Sequence, residues 1–253
     1  MTVPRHEGKH DERALVTAER SVEYHYDDPP AVPTQVVLCF HDGPFEYVEE
    51  SYETTAFRTF AEGLALAATG GSVGIVRVPG VGAPVTSLVM EELIELGTET
   101  FVSVGHVGGV DPGLGIGDTV VVDRALRDEG TSHHYLEPAA YATATPALVD
   151  QFESTLADAG TAYEVGATWT TDAPHRETAS EVKRYREEGV LTVDMEAAAV
   201  FAIAERRSVA AGALFTISDR IEPPEWTPMF ADTQPHLERI VDLAIASLAP
   251  ADS

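Results

Sequence analysis

Apolar and polar positions alternate in a regular order along most of this chain. "TQVVLCF" (34–40) and "GSVGIVRV" (71–78) are short apolar runs bounded by turn residues, the pattern of buried strands. The first is followed by the turn "HDGP", the second by "PGVGAP". Then "VTSLVMEELIELG" places Val85, Leu88, Val89, Leu93 and Leu96 on one helical stripe, with Gly97 as its stop. "ETFVSV" (99–104) predicts a strand ended by "GHVGG", and "GDTVVVDRAL" (117–126) a second. "PALVDQFESTLADAG" (146–160) follows as a helix and "AYEVGATWT" (162–170) as a strand, and "TASEVKRYREEG" (178–189) has the polarity of a surface helix. "VLTVD" (190–194) then leads into an apolar helix that ends in "ERRS", the strand "AGALFTI" (211–217) comes next, and "QPHLERIVDLAIASLA" (234–249) closes the chain as a helix.

Strand and helix in this alternation predict an α/β fold, a single domain with a central mixed, largely parallel sheet flanked by helices. The domain is expected over 35–253. It is preceded by an N-terminal arm, 1–34, with weak periodicity and the ending "DDPPAVP". Ligands of such sheets gather beyond the carboxyl ends of the strands. A right-handed crossover would make "VLTVD" and "AGALFTI" parallel, so that Asp194, Glu196 and Asp219 emerge at one edge beside the glycine-rich turns. Singly, each acid has a plain structural role: Asp194 suits a helix N-cap, Glu196 the positive end of a helix dipole, and Asp219 a turn paired with Arg220. Together on one rim, they mark a cleft.

Composition narrows what such a cleft could serve. The 253 residues carry 42 acids against 16 Lys and Arg, a net charge of −26, and only Lys9 and Lys183 are lysines. That charge repels nucleic-acid phosphates and anionic lipids, so neither nucleic acid nor membrane is an expected partner. It also matches the profile of proteins from salt-rich cells, where cations screen self-repulsion. No apolar run approaches membrane-spanning length, and the polar N-terminus is unlike a signal peptide, so a cytoplasmic enzyme is expected. The lone cysteine, Cys39, sits in an apolar run and reads as a buried thiol. "GVGAPV" lacks dinucleotide-fingerprint spacing, "HVGGVDPGLG" has no Gly-Lys-Ser/Thr, and no G-x-S-x-G elbow occurs. Adjacent His133 and His134, expected on a strand, would face opposite ways and make poor metal ligands. No metal or cofactor is expected.

"VDMEAAAVFAIAERRSVAAGALFTISD" resembles the M-E-[AS]-A…S-D signature of nucleoside phosphorylases of the purine nucleoside and uridine phosphorylase type. "PGVGAPVTSLVMEELIELGTETFVSVGHVGGV", "GIGDTVVVDRALRDEGTSHHYLEPAAYATA" and "VGATWTTDAPHRETASEVKRYREEGVLTVDMEA" extend the likeness over roughly 35–248. The resemblance implies cleavage of an N-glycosidic bond with ribose passing to phosphate. It implies Glu196 on the ribose 2′- and 3′-hydroxyls with Met195 beneath the sugar. Asp219 would be the acid that protonates the leaving base, held by Arg220. Asp194, Gly105, His106, Thr171 and His175 complete the implied nucleoside cleft. In the implied homo-oligomer, dimer-based and up to a hexamer, His6 (or His10) of the arm would reach a neighbour's ribose 5′ end. The family's phosphate arginines are missing: "HDGPFEYV" has Phe45 or Glu46, "TAFRTF" has Thr55, and "SVGHVG" has Ser103 where they are expected. His41, Gly43, Arg58 and Ser103 are left as anion-site candidates. Purine is favoured over uridine, because the Gln-x-Arg clamp of pyrimidine-specific relatives is absent. Hydrolysis, action on a nucleotide, and a non-catalytic nucleoside-binding role are the alternatives.

Overall fold

A computed structural model describes residues 4, 6 and 8–249. In chain order, α1 (Ala18–His25) precedes β1 (Gln35–Cys39), α2 (Asp42–Ser51), β2 (Thr54–Arg58), β3 (Glu62–Leu66), β4 (Val73–Arg77) and α3 (Ala83–Glu95). The long strands β5 (Thr100–Gly109) and β6 (Thr119–Asp128) come next, then β7 (Tyr141–Thr143), α4 (Pro146–Asp158) and β8 (Glu164–Thr171). The chain ends with α5 (Ala179–Glu187), β9 (Val190–Asp194), α6 (Ala197–Arg207), β10 (Ala210–Glu222), β11 (Glu225–Pro228) and α7 (Gln234–Leu248).

The mixed α/β architecture expected from the alternation is what forms. The longest ladders, β5 with β10 and β6 with β8, are parallel. Strand β10 pairs with both β5 and β6, which closes β5, β10, β6, β8 and β9 into a ring, while β1, β4, β3 and β2 extend from β5 as an open sheet. Period-two alternation sorts the core by face. Val36 and Leu38 pack with Val89 and Leu93 of α3 and with the wholly buried Ala197–Ala204 face of α6. Val37, Cys39, Val102 and Val104 instead meet Phe152 of α4 and Leu237, Ile240 and Val241 of α7. Trp169, Val182 and Tyr185 form a third cluster beneath α5.

Several expectations are corrected. "HDGP" is the opening of α2, with His41 as N-cap, because Pro44 fits the first helical turn. "GHVGG" does not end its strand: β5 runs on through Gly109. Strands β9 and β10 are not parallel neighbours. Residue Val193 pairs antiparallel with Gly108 of β5, while β10 runs parallel to β5. His133 and His134 lie in a short 3-10 turn with His133 Nε2 3.1 Å from the Arg127 carbonyl, rather than on a strand. The N-terminal segment is seated on its own chain: Tyr26 Oη donates to Glu92 (2.7 Å) and Arg206 to the His10 carbonyl (2.8 Å).

Candidate active site

A cavity of about 820 Å³ opens where the carboxyl ends of β1, β8 and β9 meet the middle of β5 and β10. Of the residues singled out in the sequence, Asp194, Met195, Glu196, Asp219, Gly105, His41, His106 and His175 line it. The three acids do share one cleft, though for a different reason from a shared strand edge. Strands β9 and β10 approach β5 from opposite directions, and Asp219 pairs with the same Gly108 that pairs with Val193. Gly108 permits this crowding, since a Cβ there would lie 2.9 Å from the Val193 side chain and 3.2 Å from Asp219 Oδ2.

Asp194 is buried, and its carboxylate is committed to the fold. One oxygen accepts from Thr168 (3.3 Å) and Thr170 (2.7 Å), and the other from the Glu196 and Ala197 amides (3.0 and 2.6 Å). The Thr170 hydroxyl also accepts from the Ala198 amide (3.0 Å). These bonds satisfy the unpaired amides that start α6, and they fix the turn that aims Met195 and Glu196 into the cavity. Glu196 is itself buried, and its Oε1 accepts from the Gly82 amide at 2.5 Å. Gly82 sits at φ +103°, a conformation that favours glycine, so "GVGAP" presents its amide to Glu196. Burial pushes Asp194 up to about 6, against the pull of its donors. Burial and the neighbouring Asp194 carboxylate push Glu196 up to about 8.

Asp219 follows a bulge in β10. Ile217 and Asp219 are the consecutive ladder partners on β5, so Ser218 is the extra residue and Asp219 is re-aimed. The Ser218 hydroxyl donates to Oδ1 (2.9 Å), and Trp226 Nε1, from the β10–β11 hairpin, donates to Oδ2 (2.7 Å). Arg220 does not hold Asp219. It bonds Glu222 (2.5 Å) and the Pro112 carbonyl (3.2 Å) and is not a lining residue, because neighbouring strand positions face opposite ways. Glu177, which the sequence reading passed over, also lines the cavity, and burial, Asp219 and Glu181 push its carboxyl up to about 7. Its position was legible as the residue before a capping box: Thr178 and Glu181 bond reciprocally at the start of α5. Trp226 had no comparable signal.

At the β1 end, His41 and His106 stack with ring centroids 5.2 Å apart and planes at 13°. Burial lowers both pKa values, His106 to about 4, so the pair is neutral at pH 7. Thr233 Oγ1 donates its proton to the Phe230 carbonyl (3.0 Å) and so accepts from His106 Nε2 (3.0 Å). That fixes the tautomer and leaves Nδ1 with its lone pair. His41 Nε2 is buried with no partner among the described residues.

The remaining candidates stand apart. Arg58 lies at an exposed end of β2, in a second hollow of about 540 Å³ that shares only Phe40 and His41 with the first. Arg77 lines that hollow too, but Asp42 (2.6 Å) and Glu62 both bind it. Phe45, one of the two residues (with Glu46) expected at a missing arginine's position, is a buried residue of α2 beneath the Arg77 guanidinium. Ser103 is fully buried within β5, and Gly43 packs on Gln234. Thr171 is buried and accepts from the Ala173 amide (3.2 Å), and exposed His6 pairs with Glu12 (3.0 Å). Among the described residues no Lys or Arg lines the main cavity, and no cluster of three or more His, Cys, Asp or Glu is placed to hold a metal. No helix among them is long and apolar enough to cross a membrane.

The sequence profile described as "Phosphorylase superfamily" matches residues 34–246. A guanosine phosphorylase of Halorubrum lacusprofundi is 33% identical over 147 residues, 56% of this chain and 59% of that one. A uridine phosphorylase of Salmonella typhimurium is 29% identical over 203 residues, 72% of this chain and 75% of that one. A purine nucleoside phosphorylase of DeoD type from Exiguobacterium sibiricum is 29% identical over 60% of this chain and 66% of its own. Two of these three curated relatives are thus matched over less than two thirds of their length. The crystal structure of a uridine phosphorylase from Vibrio fischeri ES114 has the same fold, with TM-score 0.73 at 21% identity over 86% of this chain and 92% of that one.

Proposed function

Because the chain belongs to the phosphorylase superfamily, we propose that its cavity cleaves the N-glycosidic bond of a nucleoside, passing the pentose to phosphate. The observation that carries this reading is the distribution of acids within one cavity. Buried Glu196, its neighbour Met195, Asp219 and Glu177 all line it. An ionised carboxylate accepts two hydrogen bonds from a vicinal diol, which suits Glu196 to the ribose 2′- and 3′-hydroxyls. Further acids in the same cavity suit a base that departs more readily when protonated. A cavity of about 820 Å³ is large enough for a nucleoside. Purine is the favoured base, and the relative named a guanosine phosphorylase makes guanosine the first substrate to try.

Water as the acceptor is the second reading. It is favoured by the lack of any lining Lys or Arg among the described residues and by the neutral His41–His106 pair, which leave a phosphate dianion without compensating charge beside Asp194 and Asp219. Base release from purine and pyrimidine nucleosides and nucleotides, with phosphate titrated from zero and the sugar product identified, tests both. Phosphorolysis gives the pentose 1-phosphate in proportion to bound phosphate, whereas hydrolysis gives free pentose at a rate indifferent to phosphate. No base release from any member of the panel overturns the function.

A further inference from the structure

Among the described residues no Lys or Arg lines the cavity, so Asp219 is aimed by uncharged donors, and the two it has are not equivalent. The Ser218 hydroxyl has a second acceptor within reach, the Val107 carbonyl at 3.3 Å, besides Asp219 Oδ1 at 2.9 Å. The Trp226 indole N–H only donates, and Asp219 Oδ2 takes it at 2.7 Å. The β10–β11 hairpin builds that contact. Asp219 stands opposite Pro228 and Ile221 opposite Trp226, so Asp219 and Trp226 are diagonal neighbours on one face, a separation of about 7–8 Å that a long aromatic side chain spans. The hairpin is also tied to the bulge itself, because the Met229 amide donates to the Ser218 carbonyl (2.9 Å). No layer covers it: every β11 residue is exposed, and Trp226 is 60% exposed although the acid it holds is buried.

We propose that Trp226 is the positioning residue for Asp219: its indole N–H holds the carboxyl in the orientation from which a proton reaches the leaving base. The inference rests on the nucleoside-cleaving function proposed above, with Asp219 as the acid. In the step, the bond between the pentose C1′ and the base nitrogen breaks and its electron pair goes to the base. The proton on the Asp219 carboxyl passes to a ring nitrogen of the base, so the base leaves neutral and Asp219 is left as a carboxylate. The acceptor oxygen forms the new bond to C1′, and solvent returns the proton to Asp219 when the base departs. Negative charge grows on Asp219 as its proton leaves, and a hydrogen bond strengthens as its acceptor becomes charged. Trp226 therefore contributes most during proton transfer, and as a donor only it keeps its own proton throughout. Its ring also lines the cavity, beside Ile221, so the part played by the N–H has to be separated from that of the ring.

Trp226→Phe makes that separation, since it keeps a ring and removes the N–H. The test measures it beside the wild type, Asp219→Asn and the double variant, on a purine nucleoside and on its N7-methylated form. The methylated base already carries the positive charge that protonation would supply, so it leaves neutral without an acid. For the ordinary nucleoside, kcat of Trp226→Phe is expected to fall by about 10–10²-fold with KM changed by less than about threefold, because a misaimed acid costs rate and not ground-state binding. For the methylated nucleoside, kcat is expected to stay within about threefold of wild type, which also shows that the variant is folded. If Trp226 acts only through Asp219, adding Trp226→Phe to Asp219→Asn lowers kcat no further. The assignment is overturned by a Trp226→Phe protein that cleaves the ordinary nucleoside at the wild-type rate or loses both substrates equally. A loss that multiplies with that of Asp219→Asn overturns it as well, as does an Asp219→Asn protein as active as wild type. If the wild-type protein releases base from neither substrate, it is the nucleoside-cleaving function that fails, and the assignment with it.

Discussion

Glu196 is a buried carboxylate with a raised pKa, and the physical cost of that state is measurable. Its folded value near 8 lies well above the ordinary glutamate value, so the folded protein holds a proton that the unfolded chain releases. Stability is therefore greatest below about pH 4.5 in this respect, and it falls as pH rises towards 8. Glu196→Gln removes that slope: the variant should match wild type in thermal midpoint near pH 5 and exceed it near pH 8. Nucleoside binding runs the other way, since the diol needs the ionised form. Wild-type affinity should rise with pH towards 8, and Glu196→Gln should weaken binding by about 1.5–3 kcal/mol, the worth of hydrogen bonds to a charged group. Melting curves at the two pH values and calorimetric binding check both halves. Parallel stability slopes in the two proteins would show that Glu196 is not the residue titrating.

At the scale of elements, the start of α6 depends on a side chain from β8. The Thr170 hydroxyl receives the Ala198 amide and donates to Asp194, so Thr170→Val strands a buried amide and strips the carboxylate of a donor. A loss of about 1–3 kcal/mol in denaturant unfolding is expected, together with poorer nucleoside binding, because Glu196 is aimed by the same turn. An unchanged unfolding midpoint would show that water replaces the hydroxyl. This network also marks where the sequence stopped being legible. The helices α3, α4, α5, α6 and α7 were legible as elements, but the buried face of α3 runs through Thr86, Val89, Met90 and Leu93 and leaves Leu88 of the expected stripe exposed, while α6 is buried all round. The direction of β9 relative to β10 did not follow. Nothing local distinguishes a parallel crossover from a strand that returns to pair antiparallel through Gly108 and Val193. The same blindness hid the partner of Asp219: adjacency suggested Arg220, whereas the bulge at Ser218 turned the carboxylate towards Trp226. Asp194, Glu196 and Asp219 were found because acids are conspicuous between apolar segments. Gly82 and Glu177 were missed because their roles depend on which strand ends converge.

For the whole molecule, charge and exposed apolar surface are the two properties that set its behaviour in solution. Val81, which lines the cavity, is 61% exposed, Phe60 in the second hollow is 54% exposed, and Leu88 on α3 is 59% exposed, so water meets three large apolar side chains. Covering them with a second copy of the chain would bury that area, and light scattering is expected to give at least twice 27.1 kDa at working salt. A scattering mass of 27.1 kDa, a single chain, would refute it.

Salt enters this expectation because the surface that must associate belongs to a chain of net charge −26. The repulsion among those acids is spread over the molecule, with few Lys or Arg to offset it, and it opposes both the compact state and assembly. Exposed charges interact over about 10 Å at 0.1 M salt but only about 3 Å at 1 M. Raising potassium chloride from 0.1 M to the molar range should therefore raise the thermal midpoint, and it should shift the scattering mass upward over the same interval. A neutral osmolyte such as sucrose stabilises by exclusion from the surface and leaves screening untouched. If screening is the cause, sucrose will raise the midpoint without changing the salt dependence that remains. A midpoint flat in salt would mean that the acids are already neutralised within the fold, most directly by the pairs Arg77 makes with Asp42 and Glu62 and Arg207 makes with Glu91 and Glu95. Those pairs engage two of the 16 Lys and Arg against four of the 42 acids, far too few to cancel the excess, so a steep salt dependence is the expected result.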